Sequence, residues 1–155
     1  MTLTSGLFSS NTDEWSTPSE LFNQLNEEFN FTLDVCATSD NAKCKDYFTK
    51  EQDGLSQKWH GTVWMNPPYG RAIAKWIEKA HEYGTTGGTA VALIPARTDT
   101  RYWHDFVMDA TEIRFIKGRV RFGDSDAGAP FPSAIVVFSP KRHPRVSDYI
   151  VRDSE

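Results

Sequence analysis

The order of patterned segments predicts an α/β fold built on a mostly parallel sheet. Strand-like and helix-like segments alternate over most of the chain. The apolar run 90–94 lacks polar alternation, which is typical of a strand covered by helices on both faces. The last predicted strands have no helix between them, so we expect an antiparallel hairpin at the C-terminal end of the sheet.

The first helix is predicted from a start signal at residues 17–20. Thr17 offers a capping oxygen, Pro18 suits the first helical position and Glu20 completes a capping box. Residues 31–35 then alternate in polarity and predict a first strand that ends in Asp34. Ligands in open α/β sheets bind at the carboxyl ends of the strands, which makes Asp34 a candidate site residue. A strand-end cap is the alternative.

The remaining elements follow from apolar periodicity and from chain breakers. Residues 61–65 predict a strand stopped by two prolines, and residues 71–83 predict a helix closed by Gly84 in the left-handed cap position. The other expected elements are a short strand at 47–49, a helix at about 100–109 and strands at 112–116, 119–122 and 134–138.

The length of 155 residues fits one domain. We expect a loose polar arm at residues 1–14, the folded domain at 15–140 and a polar tail at 141–155. A content of 39% hydrophobic and 25% charged residues is that of a globular protein rather than a disordered chain. The sequence shows neither a membrane-length apolar run nor a secretory signal, so a cytoplasmic location is expected.

Charge and cysteine content narrow the function classes. The net charge of −4 argues against a general polyanion binder, yet residues 97–145 hold 9 basic and 6 acidic residues. The candidates for DNA contact there are Arg97, Arg101, Lys117, Arg119 and Arg121, with simple surface solvation as the alternative. The two cysteines and four histidines show no metal-ligand spacing, so no metal is expected.

The sequence Asn66, Pro67, Pro68, Tyr69 and Gly70 at a strand end carries the most specific chemistry. An exocyclic amine on a heterocycle is a poor nucleophile because its lone pair is delocalised. Asn66 Oδ1 and the Pro67 carbonyl could accept hydrogen bonds from that amine and free its lone pair, while Tyr69 offers a flat surface for an extruded base. The prolines would fix the backbone. An ordinary turn is the alternative.

Together with other segments, this motif resembles the phage-type DNA N6-adenine methyltransferases, the Dam-like enzymes that use S-adenosylmethionine. The resemblance covers nearly the whole chain, because the segments that carry it are residues 13–18, 31–37, 41–44, 63–70, 93–100 and 129–134. The tetrapeptide alone is less specific, since protein glutamine and RNA adenine methyltransferases share it.

The resemblance implies a single-domain, Rossmann-like methyltransferase fold acting on double-stranded DNA in a phage or prophage setting. It assigns catalysis to Asn66, Pro67, Pro68 and Tyr69. The cofactor residues it implies are Trp15, Thr17, Pro18, Asp34, Cys36, Ala37 and Asp53. Asp34 is expected near the methionine part of S-adenosylmethionine and Asp53 near its adenine, although Asp53 followed by Gly54 is also an ordinary turn pair.

One departure from the family pattern is the missing glycine-rich turn after the first strand, since no glycine occurs between Asp34 and Gly54. Small Cys36 and Ala37 are the expected substitutes. Two other functions remain open from sequence alone. One is methylation of RNA adenine or protein glutamine, and the other is a cofactor-binding or DNA-binding module without catalysis.

Overall fold

The computed structural model describes residues 15–123, 127–140 and 145–152. The predicted arm at 1–14 lies outside the described residues. Helix α1 spans Ser19–Phe29, α2 spans Ile73–Thr85 and α3 spans Arg101–Asp105. The strands are β1 Leu33–Ala37, β2 Asp46–Thr49, β3 Thr62–Met65, β4 Thr89–Pro95, β5 Glu112–Ile116, β6 Ser133–Phe138 and β7 Arg145–Tyr149. Short 3₁₀ turns occupy Gly54–Ser56 and Val107–Asp109.

The seven strands form one mixed sheet in the order β2-β1-β3-β4-β6-β5-β7. Strands β1 to β4 are parallel to one another, β6 runs antiparallel to both β4 and β5, and β7 pairs parallel with β5. The α/β class is confirmed, as is a mostly parallel sheet with an antiparallel C-terminal part. The carboxyl ends of β1 and β3 therefore meet at one edge of the sheet, where a ligand site is expected.

Both faces of the sheet are covered, which explains why β4 and β6 are buried along almost their whole length. On one face α2 and α3 contribute Trp76, Ile77 and Trp103 to the core. On the other face α1 packs with the loop that precedes β6, through residues such as Leu25 and Phe122. No helix within the described residues is long and apolar enough to cross a membrane.

Two predicted helix ends were wrong. Helix α1 begins at Ser19, and its N-cap is Pro18, whose carbonyl accepts from Phe22 N, with no side-chain cap. Thr17 is instead turned into the protein and buried. Gly84 is not a cap either, because it lies inside α2, where an added Cβ would stand 2.9 Å from the backbone of Phe138. Close packing of α2 on β6 explains this glycine.

The strand predictions also needed corrections. Strand β1 continues to Ala37, so Asp34 is its second residue rather than its end. Residues 119–122 form no strand, and the antiparallel element is β6. The helix expected at about 100–109 breaks after Asp105 into a 3₁₀ turn. The segment predicted as a polar tail contains β7, which extends the sheet.

Candidate active site

One cavity of about 560 Å³ lies at the edge where β1 and β3 end. It brings together most of the predicted cofactor and catalytic residues, namely Trp15, Thr17, Asp34, Cys36, Ala37, Asp53, Asn66, Pro67 and Pro68. Pro18 and Tyr69 are not in its lining. This volume is in the range of sites that enclose small organic ligands, about 300–1,000 Å³. Residues that are 50 positions apart in sequence thus share one site.

Asp34 is a buried carboxylate held by two backbone donors. Cys36 N donates to Oδ1 at 3.2 Å and Lys43 N donates to Oδ2 at 3.0 Å. Burial raises the pKa of Asp34 to about 6, and the two hydrogen bonds oppose that shift. The side chain organises the turn after β1. A cationic ligand beside it would favour its charged form and lower its pKa.

The raised pKa of Asp34 predicts how stability changes with pH. Between pH 4 and 6 the folded protein keeps this proton while the unfolded chain loses it, so the free energy of unfolding falls as pH rises. At about 1.4 kcal/mol per pKa unit, the change is on the order of 3 kcal/mol. Asp34→Asn has no carboxyl group at this position, so its free energy of unfolding should lack this dependence on pH. In urea unfolding from pH 4 to 7, the stability of the variant relative to the native protein should therefore rise by about that amount. If the difference in the free energy of unfolding between the two proteins stayed constant with pH, the raised pKa of Asp34 would be contradicted.

Gly54 packs closely against β1, the strand after which the glycine-rich turn is missing. A Cβ at this position would lie 2.2 Å from the Val35 carbonyl and 3.0 Å from Trp76, so only glycine allows the segment to pack against β1. The sequence predicts a turn at Asp53 and Gly54, and the structure has one there, with Asp53 at a φ of 57°. The packing of Gly54 against β1 has no signal in the neighbouring residues.

The segment that carries Asp53 is fixed by side chains outside the cavity. The Trp59 indole N–H donates to the Gly54 carbonyl at 2.8 Å. Lys79 Nζ donates to the carbonyls of Leu55 and Gln57 at 2.9 and 2.7 Å. The exposed carboxylate of Asp53 accepts from Leu55 N at 3.2 Å. Asp53 is therefore presented at the rim of the cavity by a rigid turn.

Both the nitrogen and the oxygen of the Asn66 side-chain amide form hydrogen bonds. Its Nδ2 donates to Thr17 Oγ1 at 2.9 Å and to the backbone carbonyl of Trp15, and its Oδ1 accepts from the Tyr69 hydroxyl at 2.7 Å. The Tyr69 hydroxyl also lies 3.0 Å from the Leu93 carbonyl. Burial raises the pKa of Tyr69 well above its usual value, so the phenol stays protonated and can act as a donor.

Tyr69 is one wall of an aromatic cluster made of Trp15, Tyr69, Phe122 and Phe131. The Trp15 and Tyr69 rings are 18° from parallel with centroids 6.4 Å apart, and Phe122 and Phe131 meet both rings edge-on at 5.4 to 6.0 Å. The predicted cofactor residue Trp15 thus places its ring beside Tyr69 and its carbonyl on Asn66. This long-range arrangement had no signal in the sequence.

The five predicted DNA-contact residues are all exposed. Arg97 lies with its guanidinium 5.8 Å from the Phe131 ring, and Arg119 donates to the Ala129 carbonyl at 3.1 Å. Arg97 therefore borders the aromatic cluster, and Arg119 is bonded to the loop that precedes β6. Arg101 begins α3, Lys117 follows β5, and Arg121 precedes Phe122.

The Cys44 thiol does not have the properties of a nucleophile. Burial raises the pKa of Cys44 to about 12, and Asp34 and Asp46 add to this shift, so its thiol stays protonated. Within the described part of the chain, no group of three or more His, Cys, Asp or Glu residues is arranged to hold a metal ion.

An open α/β sheet with Asn66, Pro67 and Pro68 lining a cavity at its edge is the arrangement expected of an α/β methyltransferase that acts on amino groups. The family described as "Dam: DNA N-6-adenine-methyltransferase (Dam)" matches residues 4–153. The chain belongs to this family and is an adenine-specific DNA methyltransferase.

Two phage relatives agree with this assignment. A DNA N-6-adenine-methyltransferase of Haemophilus phage HP1 is 32% identical over 141 residues, covering 85% of this chain and 82% of the relative. Another from Escherichia phage T1 is 31% identical over 108 residues, covering 68% of this chain and 45% of the relative. A solved structure of a predicted O-methyltransferase from Agrobacterium tumefaciens aligns at 22% identity with a TM-score of 0.38, over 70% of this chain and 47% of that one.

The family match confirms the function expected from the sequence. It favours adenine in DNA over the RNA and glutamine acceptors, and an enzyme over a module without catalysis.

Proposed function

We propose that this DNA adenine methyltransferase takes its methyl group from S-adenosylmethionine and transfers it to an adenine extruded from double-stranded DNA. The observation that carries the proposal is the single cavity that contains Asp34 and Asp53 together with Asn66 and Pro67. Donor and acceptor sites must adjoin for a direct transfer, and this arrangement provides both in one enclosure.

The residues of the cavity fit the cofactor. Close packing of Gly54 on the Val35 carbonyl holds the turn that carries Asp53 against β1, beside the cavity. Asp34 supplies negative charge within that enclosure, which suits the ammonium and sulfonium groups of S-adenosylmethionine. Asp53 at the rim would accept hydrogen bonds from the nucleoside part. When bound, the cofactor supplies a methyl group already activated by its positively charged sulfur.

The chain's own groups act on the amine that receives the methyl group. A carbonyl oxygen has two lone pairs, so Asn66 Oδ1 can accept from the adenine amine while it also accepts from Tyr69. The Pro67 carbonyl is the second acceptor. Together they would orient the nitrogen lone pair and stabilise the positive charge that forms on the nitrogen during transfer. The surplus proton can leave to water after the transfer.

The DNA is expected to approach the side that carries the aromatic cluster. An extruded base needs stacking surfaces, and Tyr69 and Phe131 supply aromatic walls next to Asn66. Arg97 borders the Phe131 wall and would contact phosphates beside the extruded base, and exposed Arg119, bonded to the Ala129 carbonyl, would join it. Arg101, Lys117 and Arg121 would extend this contact surface.

The proposal is tested by binding and by transfer. Calorimetry should show S-adenosylmethionine binding to the DNA-free protein. Labelled methyl groups should then appear on a duplex oligonucleotide that contains adenines, more than on its separated strands. Failure to bind S-adenosylmethionine would contradict the cofactor assignment, and transfer confined to single strands would contradict the assignment of duplex DNA as the substrate.

A further inference from the structure

The orientation of the Asn66 amide is decided by what surrounds it. An asparagine side chain has nearly the same shape when its oxygen and nitrogen are exchanged, so only its hydrogen-bond partners fix which end faces which way. In the proposed mechanism Oδ1 must face the target amine. A turned amide would present a donor there instead of an acceptor.

The backbone carbonyl of Trp15 can only accept, so it requires Nδ2 rather than Oδ1 on this side of Asn66. Thr17 Oγ1 accepts from the same Nδ2 at 2.9 Å and holds the amide in that position. Thr17 is 6% exposed, so water competes little for its hydroxyl. On the opposite side Tyr69 donates to Oδ1. The three contacts agree on a single orientation.

Residues 15–17, the N-terminal strap, are themselves anchored on both sides of the site. Gly123 N donates to the Ser16 carbonyl at 2.9 Å, and Asn41 Nδ2 donates to Ser16 Oγ at 3.4 Å. Thr17 is therefore held in place from outside and does not depend on Asn66 for its position.

We propose that Thr17 is a positioning residue whose hydroxyl holds Asn66 Nδ2, so that Oδ1 is presented to the target amine. This inference rests on the proposed function. It differs from the cofactor contact that the resemblance implied for Thr17, because it places the effect of the hydroxyl on the transfer step rather than on cofactor affinity.

The test compares Thr17→Val, which keeps the shape and loses the acceptor, with Thr17→Ser, which keeps the hydroxyl. We expect Thr17→Val to lower kcat by about 10- to 100-fold, the effect of one buried hydrogen bond, with the Kd for S-adenosylmethionine changed less than about twofold. Thr17→Ser should keep most of the activity. Thr85→Val, which removes an exposed hydroxyl from α2, is the matched control and should behave as the native protein.

A second readout does not need turnover. The Asn66 side-chain NH₂ signals in an NMR spectrum, identified by their loss in Asn66→Ala, should be protected from exchange in the native protein and in Thr17→Ser. In Thr17→Val, or in Thr17→Ala if the valine variant does not fold, the amide proton directed at Thr17 should lose protection, while the proton directed at the Trp15 carbonyl should keep it.

The positioning role would be overturned by any of three results in the variant without the hydroxyl. These are an increase in the Kd for S-adenosylmethionine, an unchanged kcat, or unchanged protection of the Asn66 NH₂ protons. If the native protein transfers no methyl group, the proposed function fails, and the NMR result still decides whether Thr17 holds Asn66.

Discussion

Asn66→Ala is expected to reduce kcat for adenine methylation by about 10³-fold, while the Kd for S-adenosylmethionine stays within a few-fold of the native value. The substitution removes an oriented acceptor at the point where charge develops, and the loss of one such group costs about 10²- to 10³-fold in other enzymes. Single-turnover transfer of a labelled methyl group to duplex DNA measures the rate.

The fold should survive this substitution, because the Tyr69 hydroxyl keeps the Leu93 carbonyl as a partner. Asn23→Ala, at an exposed position of α1, is a matched control that should retain native rates. An Asn66→Ala protein that is folded, binds the cofactor and transfers at more than about a tenth of the native rate would contradict the catalytic role.

Arg114→Ala is expected to lower the free energy of unfolding by about 2–3 kcal/mol, since the largely buried Glu112 carboxylate loses a partner, whereas half-exposed Glu28 stays partly hydrated. Arg114 on β5 is 7% exposed and binds both carboxylate oxygens of Glu28 at 2.8 and 2.7 Å. It also pairs with Glu112 and lies over the rings of Phe29 and Tyr149. One side chain thus joins α1, β5 and β7. Urea unfolding, extrapolated linearly to water, measures the loss.

Arg145→Ala is the matched control for this second variant. Arg145 also reaches Glu112, at 3.5 Å, but its side chain is 73% exposed, and exposed pairs contribute about 0–1 kcal/mol. If the two arginine variants lost similar stability, the contacts of Arg114 would not be what stabilises the packing of α1 on β5 and β7.

The elements were predictable where local pattern decides structure. The apolar run at 90–94 became β4, and the periodic residues of α2 face the core as expected. The errors occur where distant contacts decide. Thr17 has a capping residue's sequence context, yet a donor 49 positions away binds its hydroxyl. Gly84 was predicted as a helix cap from its position after the periodic segment. Its real constraint is the contact with Phe138, more than 50 positions away, which nearby residues do not reveal.

The same distinction applies to the candidate site. Asn66 and its neighbours were identifiable because their chemistry is contiguous in sequence. The strap over Asn66, the packing of Gly54 on β1 and the aromatic cluster each join segments separated by tens of residues, so their geometry required the structure. The resemblance supplied candidate residues such as Trp15 and Thr17, but it did not indicate that both contact Asn66.

The central claim, that this cavity delivers a methyl group to the adenine amine, is tested most directly by identifying the product. Duplex DNA is incubated with the native protein and labelled S-adenosylmethionine, digested to nucleosides and analysed by mass spectrometry. We predict N6-methyladenine as the labelled nucleoside, with only a trace from Asn66→Ala. Label on cytosine, or equal N6-methyladenine from both proteins, would contradict the account.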